Sequence, residues 1–296
     1  MTMKRGDRVK GFLLALSFTS LVWAGGVWAG SPVLDQARKL YSLTEFEQSL
    51  QVLQTIPDKD AAVFELVGRN RYGLGEFKKA TEALEKAVAL EPGNSGYNLW
   101  LGRAYGRRAE TSIPITAPGY ASKARQHFEK AAQLNPGNLE AQSDLFEYYL
   151  EAPGFLGGGF DKASTTAALM ANLDPAEGHW ALAKLAEKHK EFSRAEEHLR
   201  LAIAAAPLQV GRIVDLARLL SKQGRYQEAD QTLAKAERIA PNSPKLLFNK
   251  AEIYIKSKRN LDVARDLLKR YLSLTLSPED PPRSDAEKLL KQVQGS

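Results

Sequence analysis

The feature that most constrains this chain is a spacing that recurs. An alanine is followed four residues later by a large apolar residue or a second alanine, and eight residues after that by proline. The copies are Ala80, Leu84, Pro92; Ala124, Phe128, Pro136; Ala163, Ala167, Pro175; Ala195, Leu199, Pro207; and Ala229, Leu233, Pro241. Seven after each first alanine stands a small residue or methionine: Ala87, Ala131, Met170, Ala202 and Ala236. Ala264 and Leu268 begin a sixth copy without the proline. Places 0, +4 and +7 share one face of an α-helix, and small residues there let a neighbouring helix come close. Proline ends such a helix, having no amide hydrogen and clashing with the preceding turn, and its fixed φ suits the start of the next helix. A second helix is expected upstream of each string, as at 63–71, 97–105 and 212–220. Short breaks such as Gly73-Leu74-Gly75-Glu76 and Gln223-Gly224-Arg225 separate the two. An ordinary helical bundle has no reason to hold successive helix pairs in one register.

The first alanines stand at 80, 124, 163, 195, 229 and 264, giving intervals of 44, 39, 32, 34 and 35. A helix–turn–helix unit with a basal period of about 34 resembles the tetratricopeptide repeat, whose pattern runs aromatic, Leu-Gly, Tyr, Ala, Phe, Pro. Phe64, Val67-Gly68, Ala80, Leu84 and Pro92 follow that pattern. Leu101-Gly102, Tyr105, Ala124, Phe128 and Pro136 follow it further, with Asn98 in the aromatic place. Later copies keep the second helix and carry Lys184, Ala217 and Ala251 where the Leu-Gly pair would stand. Ala37 to Tyr41, Phe46 and Leu53 resemble a degenerate first copy. The resemblance spans residues 33–276. It implies an all-α fold, a right-handed α-solenoid of about seven units. Ser284-Asp285-Ala286-Glu287 reads as a capping box opening a last helix at 285–293, a polar cap that closes the exposed core at the end of 277–296.

Two intervals are too long for the period. The interval of 44 implies about ten extra residues near 107–122, and that of 39 about five near 152–160. Both fall between the two helices of a unit, in adjacent units, so stacking should bring them together on one edge. They carry Ile113, Ile115, Tyr120, Phe155, Leu156 and Phe160, an apolar set for loops. Insertions in repeat proteins often sit on a binding face. A composite ledge for a partner is one reading; loops that pack on each other and hide these side chains is the other. Gly157-Gly158-Gly159 could offer amides to an anion, but without a strand–glycine–helix context it reads as a turn.

In the family, first helices line a concave groove. Carried over by register, the inward residues include Arg69, Tyr72, Trp100, Arg103, Arg107, Asp144, Glu147, Trp180, Lys184, Asp215, Arg218 and Lys222. Aromatics would give apolar contact and Arg forked bonds to carboxylates. Arg69, Arg103 and Arg107 make the front basic, whereas Asp144, Glu147 and Glu151 are acidic. A mixed-sign groove suits a charged extended peptide or a partner's helix; a solvated charged face is the plainer alternative. The family's clamp for a C-terminal carboxylate uses paired lysines and asparagines, and Glu65, Arg69, Trp100 and Ser143 stand at those places here.

Chemistry finds little purchase. There is no cysteine, and the four histidines, His127, His179, His189 and His198, show no metal-ligand spacing. No nucleophile elbow or phosphate loop is present. Neither an enzyme nor a cofactor is expected. The net charge is +6, of which Lys4, Arg5, Arg8 and Lys10 against Asp7 supply +3, so the remaining +3 does not point to nucleic acid. Those four cations precede an uncharged run with small residues at Ala24 and Ala29, which reads as a signal peptide over 1–29, cleaved after Ala29. An uncleaved membrane anchor is the alternative. The expected product is a periplasmic or secreted scaffold for a protein or peptide; an accessory module in envelope polysaccharide or lipid assembly is the second reading.

Overall fold

The computed structural model describes residues 32–293, so residues 1–29, expected to be a signal peptide, lie outside the described residues. These form fifteen α-helices and no strand. Fourteen of the helices pair into seven units. The first three are α1 (Pro32–Ser42) with α2 (Phe46–Gln54), α3 (Ala61–Gly73) with α4 (Phe77–Leu90), and α5 (Ser95–Thr111) with α6 (Ala117–Leu134). Then come α7 (Leu139–Glu151) with α8 (Phe160–Leu173), and α9 (Pro175–Lys188) with α10 (Phe192–Ala205). The last two are α11 (Val210–Lys222) with α12 (Tyr226–Ile239), and α13 (Pro244–Lys256) with α14 (Leu261–Ser273), before the single helix α15 (Arg283–Val293).

The recurring string does what its spacing implies. Ala80, Leu84 and Ala87 are fully buried, as are Ala163, Ala167 and Met170 and their counterparts in α10 and α12. In α14 the +7 place holds Tyr271, also fully buried, whose hydroxyl donates to the Pro281 carbonyl in the approach to α15. The first unit keeps the scheme with a polar anchor. Ser49 stands in the alanine place at zero exposure, its Oγ donating to the Ala37 carbonyl (2.9 Å) and accepting from Asn70 Nδ2 (3.0 Å).

Each string proline stands two residues past its helix: Leu90 and Pro92, Leu134 and Pro136, Leu173 and Pro175, Ala205 and Pro207, Ile239 and Pro241. The residue between is non-helical in all five, with φ from −132° to −149°. That is the extended backbone which a following proline imposes. Only Pro175 also opens the next helix. The other four stand three residues ahead of theirs, where Asn94, Asn138 and Ser243 accept the amides of Tyr97, Ala141 and Leu246 as side-chain caps in three of the loops. The expectation that these prolines pre-set the next helix therefore holds at one site, the unit whose interval is the shortest.

Each second helix packs on the first helix of the next unit. First helices of neighbouring units also touch, α1 on α3, α3 on α5, α7 on α9 and α11 on α13, and no two second helices are in comparable contact. The first helices thus line the inner side of a curved stack. Its core runs on as linked clusters from Leu34 to Val293. α15 covers the open end of the last unit with Ala286 and Val293. It starts at Arg283, earlier than the capping box implied, because Pro282 supplies the first carbonyl, accepting from Ala286 N. Ser284 lies within its first turn.

Candidate partner-binding surfaces

On the inner face, charge is tied across unit boundaries. Arg69 on α3 lies between the rings of Tyr41 on α1 (4.8 Å) and Trp100 on α5 (4.4 Å). Its Nε donates to the Tyr41 hydroxyl (3.2 Å) and its Nη1 to Glu65 (3.1 Å). Trp100 also carries Arg103 at 5.1 Å and meets the edge of Tyr72 at 5.5 Å. Burial pushes the Tyr72 phenol above its ordinary value, so it stays neutral. Arg103 reaches α7, pairing with Asp144 and donating to Glu140 (3.1 Å). Lys188 on α9 donates to Glu151 (2.8 Å), and Lys222 on α11 to Glu187 (2.9 Å). Arg212 on α11 clasps Glu177 of α9. Arg218 holds Asp215 on its own helix (2.9 Å) and Asn249 on α13 (2.6 Å).

Much of the charge expected on the groove is thus engaged within the chain. Arg69, Trp100, Arg103, Asp144, Arg218 and Lys222 brace one unit against the next, and Asp215 pairs within α11 with Arg212 and Arg218; between the basic front and the acidic middle, Arg103 and Asp144 pair directly. Trp180 is 5% exposed, packed on Phe146 and covered by the Arg212 guanidinium at 4.5 Å, so it belongs to the core. What the inner face leaves open is narrow. Glu147 is exposed and makes no ion pair or side-chain hydrogen bond among the described residues. Lys184 approaches Glu187 only to 3.7 Å, and Arg107 pairs within its own helix with Glu110 (2.6 Å). A sequence signal for the braces existed. Opposite charges stand about one repeat apart on successive first helices, 41 residues for Arg103 and Asp144 and 35 for Glu187 and Lys222.

The two insertions are built differently. The first is mostly helix. α5 has 17 residues and α6 has 18, against 13 and 14 for α3 and α4, so the expected loop over 107–122 shrinks to residues 112–116. Pro118 is tolerated because it falls in the first turn of α6. Tyr120 is not part of an open ledge. Its hydroxyl accepts from Arg108 (2.8 Å), and its ring lies under that guanidinium and against Tyr105. The second insertion remains a loop, containing one 3-10 turn (Gly154–Leu156) that packs on α6.

That loop is held firmly. The Tyr148 hydroxyl donates to the Leu156 carbonyl (2.9 Å), Gly158 N to Pro153 O (3.2 Å) and Gly159 N to Tyr149 O (2.8 Å). Gly157 N donates to Gly154 O, so all three glycine amides are used by the loop and by the end of α7, and none is presented to an anion. Gly157 adopts φ +86°, and a Cβ at Gly158 would lie 1.8 Å from the Ala152 carbonyl oxygen. On this fixed frame Phe155 is 81% exposed; in the neighbouring unit Ile113 and Ile115 are 64% and 84% exposed. These three side chains are not hidden by one another. Phe160 is half-used, its ring edge-on to His189 at 4.1 Å.

No group of three or more metal-ligating side chains is assembled among the described residues. His127 Nδ1 lies 3.1 Å from Asn98 Oδ1, within a helix interface. Residues 214–281 match the sequence profile of a family described as tetratricopeptide repeat. No curated protein sequence matches the chain. Among solved structures, the chain is similar to a thermophilic TPR protein from Thermus thermophilus, at 22% identity and a TM-score of 0.52, over 64% of this chain and 97% of that one. It is also similar to a tetratricopeptide repeat protein from Parabacteroides merdae, at 15% identity and a TM-score of 0.57, over 88% and 97%. At these identities the likeness is one of fold.

Proposed function

We propose that the chain is a non-catalytic scaffold whose partner docks on the insertion edge; the stacked helix pairs and the match of residues 214–281 to a tetratricopeptide-repeat profile support a fold whose extended surfaces hold other proteins. The observation that carries this is Phe155, a large aromatic side chain 81% exposed at the tip of a loop fixed by its own hydrogen bonds. An ordered loop whose most exposed residue is apolar is stable only at the cost of solubility, and aromatic anchors of this kind dominate binding energy. The inner groove contributes less than its composition suggested, since most of its charge is committed to neighbouring units.

The test compares two double variants in affinity capture from an envelope fraction, followed by titration of the captured partner. Phe155→Ser with Ile115→Ser should weaken binding at least about tenfold while leaving the melting temperature unchanged, since neither side chain is buried. Glu147→Lys with Lys184→Glu should change affinity by less than about threefold. The reverse ranking moves the site to the groove. Arg69 and Arg103 are unsuitable for this purpose, because reversing them breaks inter-unit braces. Binding of wild-type protein to lipid vesicles or envelope glycan, lost in the Phe155 and Ile115 variant, would instead favour a role in polysaccharide or lipid assembly. Export is part of the same proposal, resting on Lys4, Arg5, Arg8 and Lys10 ahead of an uncharged run that ends in Ala29. The mature protein should begin at Gly30 by intact mass; a full-length mass in the membrane fraction would mean an anchor instead.

A further inference from the structure

The turns that join the two helices of a unit change character along the stack. Glu45 gives the turn of the first unit a charge of −1, Glu76 does the same in the second, and across the two insertions Glu151 is the one charged residue. In the fifth unit Lys188 and Lys190 against Glu191 give +1. Lys222 and Arg225 give +2 in the sixth, and Lys256, Lys258 and Arg259 give +3 in the seventh. These turns follow one another along the edge that carries the insertions. The Phe160 ring meets His189 at 4.1 Å, Lys188 donates to Glu151 (2.8 Å), and Lys222 donates to Glu187 (2.9 Å). The apolar insertions are thus continuous with a basic ridge over the last three units.

Most of this charge has a structural use. Lys188, Lys222 and Lys256 close the last turns of α9, α11 and α13, where a cation meets the negative end of the helix dipole. Arg225 pairs with Glu196 on α10, and Arg259 with Asp230 on α12 (3.2 Å), each a brace to the preceding unit. Lys190 and Lys258 have neither use. Both are exposed, and neither makes an ion pair or a side-chain hydrogen bond among the described residues. Both stand two residues past their first helix in the left-handed region, at φ +61° and +54°. The same place holds Thr44, Gly75 and Gly224 in the first, second and sixth units, at φ +60°, +73° and +75°. Glycine takes up that backbone freely and a β-carbon is disfavoured there, so the turn itself does not ask for lysine.

We propose that Lys190 and Lys258 bind an acidic, extended segment of the protein partner, which runs along this ridge from the apolar insertions to the seventh unit. The inference rests on the scaffold reading, since the same partner covers Phe155, and it adds the chemistry of what lies beside that contact. Neighbouring first helices stand about 10 Å apart, so Lys258 lies about 30 Å from Phe155, three units away. An extended chain at about 3.3 Å per residue covers that distance in about nine residues, with one carboxylate in about every three passing a turn. An anionic membrane fits less well. Its headgroups would need cations beside the protruding Phe155, Ile113 and Ile115, and the insertion turns carry only the anion Glu151.

The probe is a fluorescein-labelled peptide, Phe-Leu followed by a run of about ten glutamates, titrated with the purified protein at low salt and read by anisotropy. Micromolar binding is expected, and Lys190→Glu with Lys258→Glu should weaken it at least about tenfold. Lys130→Glu with Lys235→Glu reverses two exposed, unpaired lysines elsewhere at the same net charge, and should change it less than about twofold. Lys190→Gly with Lys258→Gly relaxes the backbone, so the urea midpoint should hold or rise while the affinity falls at least about threefold. Binding that needs Phe155 but not the two lysines overturns the inference and leaves the scaffold reading standing. Binding that needs the lysines but survives Phe155→Ser supports the ridge and counts against the insertion edge. Affinity no tighter than about 1 mM overturns the inference, as do equal effects of the two lysine pairs. So does a glycine variant that loses stability and keeps its affinity. Binding to vesicles of phosphatidylglycerol and phosphatidylcholine, without binding to the peptide, overturns it in favour of a membrane.

Discussion

Arg212→Met should lower the stability of the stack by about 3–5 kcal/mol, seen as a large drop in the urea midpoint. Glu177 is 7% exposed, and its carboxylate is held by Arg212 and by Gln209 Nε2 at 2.9 Å. Without the guanidinium, a nearly buried charge keeps one neutral donor, and the cost is its lost solvation rather than a lost contact. Arg212 also covers the Trp180 ring at 4.5 Å and pairs with Asp215 at 3.1 Å, so its removal opens the joint between the fifth and sixth units. Asp215 is cushioned because Arg218 remains. Lys188→Met is the comparison. Its pair with Glu151 is also close, at 2.8 Å, but the two side chains are 45% and 69% exposed, so about 1 kcal/mol or less is expected. Arg212→Met combined with Glu177→Leu should recover much of the loss, since a buried ion pair is often replaceable by apolar groups of similar size. Equal effects of the Arg212 and Lys188 substitutions would show that burial does not set the strength of these braces.

The braces also mark the limit of what could be read from the chain. Repeat identity was legible because it rests on local rules: small residues at 0, +4 and +7, and a proline whose predecessor must be extended. Six of the seven units follow from those rules; the first, with Ser49 in the alanine place, was legible only through Phe46 and Leu53, and the terminal helix through its capping residues. The insertions were legible as extra length but not as shape. Arg107, Arg108, Ala109 and Glu110 are good helix formers that continue α5 without a break signal, and Pro118 marks a first turn as readily as a loop. The pairing along the groove was illegible for another reason. Register places a side chain on a face, but whether Arg103 meets a partner or Asp144 depends on how closely the next unit stacks. Trp180 shows the same effect, an inward residue by register that Arg212 covers from the following unit.

Gly158→Ala tests whether the ledge works because it is rigid. A methyl group there would lie 1.8 Å from the Ala152 carbonyl oxygen, a backbone atom that cannot rotate aside. The loop must then reshape, at a cost of about 1–3 kcal/mol. The bonds from Gly158 N to Pro153 O and from Gly159 N to Tyr149 O are the ones at risk. The helices on either side end in their own hydrogen bonds, so circular dichroism should be little changed while amide exchange over 152–159 accelerates. Gly154→Ala is the control, since a Cβ there meets nothing within 4 Å and its φ is not left-handed. Phe155 itself is untouched in both variants. If the partner recognises a preorganised ring, Gly158→Ala should weaken binding at least about tenfold and Gly154→Ala hardly at all, because the ordering of a loosened loop then opposes association. Unchanged affinity in Gly158→Ala, with faster exchange confirmed, would mean that the ring alone suffices and that the glycines serve only the fold of the turn.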